Sequence, residues 1–120
     1  MRKELGKEYK DGEIIIRQGE SGDCMYEILE GSVEVMHDKD GQQVRLAVLG
    51  KGEFFGEMAI FEREIRSATV KAIGNTRTLT VDKRTLLRRI TEDPSLAFRL
   101  LEKMSYRIRE LNKKVVGQNA

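Results

Sequence analysis

Apolar and polar residues alternate along the first 82 residues, in short runs separated by glycine-containing turns. Such alternation is typical of β-strands with one buried face. The predicted strands span residues 14–17, 25–29, 32–37, 44–48, 68–72 and 79–81. Glu30-Gly31, Asp40-Gly41 and Gly74-Asn75 supply turns between them. Many short antiparallel strands divided by glycine turns indicate a barrel or jelly roll.

The pattern becomes helical after residue 82. Asp82 is expected to cap a first helix, and Asp93-Pro94 to begin a second helix that runs to about Lys114. Apolar residues of the second helix recur at alternating steps of four and three: Ala97, Leu101, Met104, Ile108, Leu111 and Val115. This a/d seam favours a partner helix and a homodimer, although an amphipathic helix packed on the strands produces the same spacing.

A second apolar set on this helix lies off the seam and is expected to pack against the strands: Leu96, Phe98 and Leu100. Strands followed by helices indicate an α+β fold. We predict one domain over residues 1–120, with an antiparallel, jelly-roll-like β-roll over residues 7–82 and two C-terminal helices over residues 83–116. The roll is expected to have about eight strands.

Composition narrows the functional classes. The chain is 39% apolar and 35% charged, and no apolar run is long enough to cross a bilayer. The N-terminus is charged and lacks the apolar region of a signal peptide, and Cys24 is the single cysteine. We therefore expect a cytoplasmic protein without membrane insertion. Basic residues late in the chain are interrupted by Glu102 and Glu110, which favours a solvated helix face over a nucleic-acid surface.

The segment 54–60 interrupts the strand pattern and predicts a strand end, a glycine turn and a helical turn. Free N–H groups at the start of a helical turn bind anions. Arg66 follows Glu57 by nine residues, and its planar guanidinium suits phosphate. Glu57 would repel a phosphate but could accept a hydrogen bond from a sugar hydroxyl. A surface salt bridge between Glu57 and Arg66, worth about 0–1 kcal/mol, is the structural alternative.

Residues 55–60, followed after a short gap by Arg66-Ser67-Ala68-Thr69-Val70, resemble the phosphate-binding cassette of cyclic-nucleotide-binding domains. Residues 12–26 and 30–35 resemble the first strands of the same family, so the resemblance spans about residues 7–114. It implies a cassette over residues 55–67 within the roll. One departure is Ile65, where many members have proline, and a looser loop with its polar contacts still in place is expected there.

The resemblance also implies roles for individual residues. Arg66 would bind the exocyclic oxygens of a cyclic phosphate, and Glu57 would accept the ribose 2′-OH. Val35 and Leu46 would face the base. Backbone N–H groups would line the phosphate at four positions: Gly56, Met58, Ala59 and Ser67. Cyclic AMP is the expected ligand. Cyclic GMP is the alternative, because the Ser67 hydroxyl could bond a guanine amino group.

The last helix resembles that of bacterial catabolite activators, in which it forms the dimer interface and contacts the base. By this resemblance Leu101, Met104, Ile108 and Leu111 would form a dimer seam, and Leu111 and Asn112 would face the base. Asn112 is equally well interpreted as a polar helix end. The activators' helix-turn-helix has no counterpart before Ala120. Direct DNA binding is therefore not expected, and the chain is either a stand-alone receptor or part of a longer protein.

Other functional classes fit the sequence less well. A cupin-type metalloenzyme needs several histidines, and the chain has only His37, which is interpreted as a surface residue. An iron–sulfur sensor needs several cysteines. We therefore expect no catalytic residues, metal or cofactor. Two alternatives remain: a sensor of the same fold for another small anionic effector, and a dimerisation module that has lost its ligand.

Overall fold

The computed structural model describes residues 6–57, 59–60 and 65–119, with backbone only at residues 111 and 114–119. The chain divides into two compact units, Met1–Lys83 and Arg84–Ala120. The first unit contains the described strands, and the second contains almost all of the two long helices. The division falls next to the strand-to-helix change that the sequence predicts at residue 82.

Six strands are present in the described part of the first unit, and all of their pairings are antiparallel. They are β1 (Lys7–Tyr9), β2 (Ile14–Ile16), β3 (Cys24–Lys39), β4 (Gln42–Gly50), β5 (Phe54–Phe55) and β6 (Thr69–Asp82). The sheet order is β1-β6-β3-β4; β2 also pairs with β6, and β5 also pairs with β3. The two long strands, β3 and β6, therefore form the centre of the sheet, and the α+β prediction with an antiparallel roll is confirmed.

The expectation of about eight strands is corrected to six among the described residues. Glu30-Gly31 and Gly74-Asn75 do not end strands: β3 and β6 continue through them. The β3–β6 register shifts on both sides of Glu30, and Gly31 has a φ of 84°. These features are β-bulges, which bend a strand without ending it. Asp40-Gly41 does form the predicted hairpin turn, with φ angles of 55° and 83°.

The core of the strand unit supports the segment that precedes the cassette. Its buried apolar cluster contains Ile16, Ile28, Val33, Leu49, Phe55 and Val70. Phe55 is among the most deeply buried large side chains, and it directly precedes Gly56. Burying a phenylalanine contributes about 1.5–3 kcal/mol. The burial of Phe55 therefore holds the end of β5 in place, and the glycine turn starts from there.

The helical unit begins with α1 (Lys83–Glu92), directly after Asp82, and continues with α2 (Ser95–Asn119). The predicted cap is confirmed at Asp93, where Oδ1 accepts hydrogen bonds from the Ser95 backbone N–H (3.2 Å) and hydroxyl (2.6 Å). The helix extends past the predicted limit to Asn119. No helix in the described ranges is long and apolar enough to cross a membrane.

The three residues of the second apolar set on α2 differ in burial. Leu96 and Leu100 are buried, but 64% of Phe98 is exposed, which corrects the expectation that all three pack inward. Residues four apart lie on the same helix face, whereas a residue two positions away lies nearly opposite. Phe98 therefore cannot share the buried face of Leu96 and Leu100.

Candidate functional site

A left-handed glycine starts the turn that leads out of β5. Gly56 has a φ of 77°, and a Cβ there would lie 2.9 Å from Nη1 of Arg66 and 3.0 Å from Cδ1 of Ile16. The turn continues as the sequence predicts: the Ala59 N–H donates to the Gly56 carbonyl (3.3 Å), and the Ile60 N–H donates to the Glu57 carbonyl (3.1 Å). Both backbone conformation and space require glycine at position 56.

The backbone of Arg66 is clamped to the segment that follows β2. Its N–H donates to the Glu20 carbonyl (2.8 Å), and its carbonyl accepts from the Gly19 N–H (2.9 Å). Ser21 and Ile65 form an antiparallel bridge beside these bonds. The loop that the sequence predicts to be looser at Ile65 is therefore joined to a neighbouring segment by this bridge and by the two hydrogen bonds of Arg66.

The guanidinium of Arg66 is held by backbone carbonyl groups. Nη1 donates to the Gly56 carbonyl (3.0 Å), and Nη2 donates to the Cys24 carbonyl (2.8 Å), with the Cys24 Sγ 3.8 Å away. These bonds replace the predicted alternative of a Glu57–Arg66 salt bridge. Within the described ranges the guanidinium forms no ion pair, and its positive charge lies beside the glycine turn.

Tyr26, on β3, connects the core to this arginine. Its ring stacks on Phe55 with 5.2 Å between centroids and 15° between planes, and Cζ of Arg66 lies 5.9 Å from its centroid. Burial, together with the neighbouring Cys24 thiol, raises the pKa of Tyr26 to about 12. The phenol therefore remains neutral near the guanidinium. Tyr26 could not be recognised as a site residue from the sequence, because aromatic residues in a strand usually signal only core packing.

Glu57 lies in the helical turn and is buried, with 5% of its surface exposed and its Oε2 atom fully covered. Burying a carboxylate is costly unless hydrogen bonds compensate. Glu57 therefore places a buried carboxylate on the turn that begins at Gly56.

Ser67 is exposed, and its backbone is tied to β3 through His37. The His37 Nδ1 lies 3.1 Å from the Ser67 carbonyl, and because a carbonyl oxygen only accepts, the imidazole must donate from Nδ1. His37 is partly exposed and its contact with Ser67 lies at the surface, in line with its interpretation as a surface residue. No local sequence pattern indicates this contact, which joins residues 30 positions apart.

The predicted base-facing residues have different environments. Val35 pairs with Ala47, and both pack against the apolar core cluster. The register shifts beyond Val35, so that Leu46 has no partner on β3 and forms a bulge, with 49% of its surface exposed. Bulges re-aim side chains, so Leu46 does not lie in register with Val35.

The remaining predicted site residues lie elsewhere or outside the described residues. Asn112 is exposed on α2 in the helical unit. Met58, and the side chain of Leu111, lie outside the described residues. The structure thus brings together Gly56, Glu57, Ala59 and Arg66 around one turn of the strand unit, and Ser67 follows Arg66 in the chain.

Comparisons with known proteins match this arrangement. A family model described as "Cyclic nucleotide-binding domain" matches residues 6–93. The cAMP-dependent protein kinase type II regulatory subunit of Drosophila melanogaster is 46% identical over 70 residues, which are 58% of this chain and 19% of the relative. The cyclic AMP receptor protein of Thermus thermophilus is 35% identical over 103 residues, which are 85% of this chain and 48% of the relative.

A solved structure shares the fold. The crystal structure of the Thermus thermophilus catabolite activator protein matches with a TM-score of 0.82 and 32% identity, covering 91% of this chain and 52% of that chain. The chain spans less than half the length of the curated relatives it matches.

Proposed function

The chain belongs to the cyclic-nucleotide-binding domain family, and we propose from this premise that it binds cyclic AMP at the turn formed by Gly56, Glu57 and Arg66. The observation that carries the proposal is the state of Arg66: its guanidinium is fixed by two carbonyl groups beside a left-handed glycine turn and forms no ion pair within the described ranges. A guanidinium fixed next to a helical turn is suited to a phosphate.

Each part of the turn has a chemical task in this proposal. Arg66 supplies charge to the exocyclic phosphate oxygens, and the backbone amides of Gly56, Met58, Ala59 and Ser67 are proposed to donate to them, the Ala59 N–H in addition to its bond to the Gly56 carbonyl. Glu57 accepts the ribose 2′-OH, because its carboxylate is buried on the same turn. Val35 and Leu46 contact the base. The Ser67 side chain is exposed and could also bond a guanine amino group, which is the basis for cyclic GMP as the second candidate ligand.

The whole chain is proposed to be a regulatory, non-enzymatic domain that signals through its helices and forms a homodimer along α2. The support for the dimer is the exposure of apolar seam residues, 64% for Leu101 and 59% for Ile108. Neither a cofactor nor direct contact with DNA is part of this proposal. A ligand can shift a two-state equilibrium only by its differential affinity for the two states.

Binding is tested by thermal shift and calorimetry with cyclic AMP, cyclic GMP and 5′-AMP. A ligand at 100 times its Kd stabilises the folded state by about 2.7 kcal/mol, a shift on the order of 10 °C for a chain this size. We expect this shift with a cyclic mononucleotide, no shift with 5′-AMP, and loss of binding in Arg66→Ala. Arg88→Ala, on α1, is the control because its ion pair with Glu92 is exposed.

The role of Glu57 is tested by comparing cyclic AMP with its 2′-deoxy analogue. Glu57→Gln should bind cyclic AMP more weakly and should narrow the difference between the two ligands, because the ribose hydroxyl would lose its charged acceptor. An unchanged preference would remove Glu57 from the ribose. If no cyclic mononucleotide shifts the wild-type melting temperature, the proposed function is wrong and an unrelated anionic effector becomes the better hypothesis.

A further inference from the structure

The guanidinium of Arg66 has two neighbours besides the carbonyl groups that accept its hydrogen bonds. On one side its Cζ lies 5.9 Å from the centroid of the Tyr26 ring. On another side it lies against the backbone of Gly22, where a Cβ would fall 2.2 Å from Nε and 2.4 Å from Cζ. Position 22 therefore has room for the guanidinium only because it is a glycine.

The Tyr26 ring is itself fixed. It stacks on Phe55, which is 2% exposed and belongs to the core cluster. Phe55 also directly precedes Gly56, whose carbonyl accepts a hydrogen bond from the guanidinium. Arg66 thus contacts Tyr26 and Gly56, and both of these are in turn joined to Phe55, Tyr26 by ring stacking and Gly56 by the peptide bond.

A long flexible side chain loses conformational freedom when it binds a ligand, and this loss weakens binding. A side chain that is already held in its binding orientation loses less. A cation within about 6 Å of an aromatic centroid is attracted to the ring face. The ring of Tyr26 and the open backbone of Gly22 therefore meet the physical requirements for pre-organising Arg66.

We propose that Tyr26 and Gly22 are positioning residues, which hold the Arg66 guanidinium in the orientation that binds the cyclic phosphate. This inference rests on the proposed function and adds to it the residues that determine how strongly the phosphate is bound. Tyr26 acts through the face of its ring and not through its hydroxyl, and Gly22 acts through the absence of a side chain.

The test compares Tyr26→Phe, which keeps the ring, with Tyr26→Leu, which removes it. Tyr9→Leu is the matched control, because Tyr9 also has a cation on its ring, Lys7 Nζ at 5.2 Å, but lies on β1. Affinities for cyclic AMP and 2′-deoxy cyclic AMP are measured by calorimetry, and stability without ligand is measured by urea unfolding.

We expect Tyr26→Leu to weaken both ligands by the same factor, about 2- to 30-fold. Equal weakening is expected because the change acts at the phosphate and not at the ribose, whereas a general loosening of the site would also alter the ratio of the two affinities. Tyr26→Phe should restore wild-type affinity, and Tyr9→Leu should not change it.

Wild-type affinity in folded Tyr26→Leu, or a changed ratio between the two ligands, would overturn the inference. If Tyr26→Leu does not fold, Gly22→Ala provides the second variant, and wild-type affinity in folded Gly22→Ala has the same meaning. Failure of the proposed function is distinguishable, because wild-type protein would then bind neither ligand.

Discussion

Substituting Gly22 by alanine should separate ligand binding from folding. The φ of Gly22 lies outside the left-handed region, so alanine can adopt this backbone conformation. The added Cβ would lie 2.2 Å from Nε, 2.4 Å from Cζ and 2.6 Å from Nη2 of Arg66. Ordinary contact begins near 3.4 Å, so the guanidinium must move by more than 1 Å.

The loss of binding free energy caused by this movement can be estimated. The hydrogen bonds from Arg66 to the Gly56 and Cys24 carbonyls, now 3.0 and 2.8 Å long, would lengthen or break. Without these two carbonyl bonds to hold it, the Arg66 side chain should lose the equivalent of one charged hydrogen bond to the phosphate, which is about 1.5–3 kcal/mol of binding free energy. The Kd for cyclic AMP should therefore rise by about 10- to 150-fold.

The variant should still fold, because the displaced atoms are the end of a flexible side chain, although the loss of the two Arg66 hydrogen bonds should lower its melting temperature. Gly50→Ala is the control: its φ is also outside the left-handed region, and a Cβ there meets no atom within 4 Å. Both substitutions restrict the unfolded chain to a similar extent. Calorimetry should therefore show weakened binding in Gly22→Ala alone, while thermal melts without ligand should show a cooperative unfolding transition for both variants. Equal affinity of the two variants for cyclic AMP would refute the reasoning.

Three further predictions concern other contacts. His37→Ala should raise the Kd for cyclic AMP by about 2- to 10-fold, because the Ser67 peptide would lose a donor; unchanged calorimetric affinity would contradict this. The pKa of Tyr26 is near 12 in the folded protein, compared with an ordinary value of 10. Its contribution to the free energy of unfolding is therefore complete below pH 10 and is lost as the pH rises toward 12. The free energy measured by urea unfolding should accordingly depend less on pH over this range in Tyr26→Phe. Ile108→Glu should reduce the mass in sedimentation, whereas Tyr106→Glu, which adds the same charge at a similarly exposed position on the opposite face of α2, should not.

The cassette could be predicted from the sequence because its geometry is local. A glycine turn, a helical turn and an arginine at a fixed interval are visible in one short segment, and the structure places Gly56, Glu57 and Arg66 together accordingly. The hairpin at Asp40-Gly41 was predictable for the same reason, since two consecutive residues with positive φ define the turn.

The strand count could not be predicted locally, because glycine has more than one role in a sheet. Gly41 ends a strand, but Gly31 lies inside β3, where a Cβ would fall 2.4 Å from the carbonyl oxygen of Asn75. That close approach comes from a residue on the partner strand, far away in the sequence. Gly22 is the same case, because its neighbour is Arg66. A local pattern shows that a glycine is present, but only the fold shows which distant group requires it.

The same distinction between local and distant contacts bears on Ile65. A proline before the arginine would stiffen the loop by restricting the backbone locally. Here Arg66 is fixed by other means: its own N–H and carbonyl bond to Glu20 and Gly19, and its side chain bonds to Cys24 and Gly56. None of these four bonds uses the N–H of residue 65. The arginine is therefore held by contacts to three other segments of the roll, and isoleucine at position 65 leaves its placement intact.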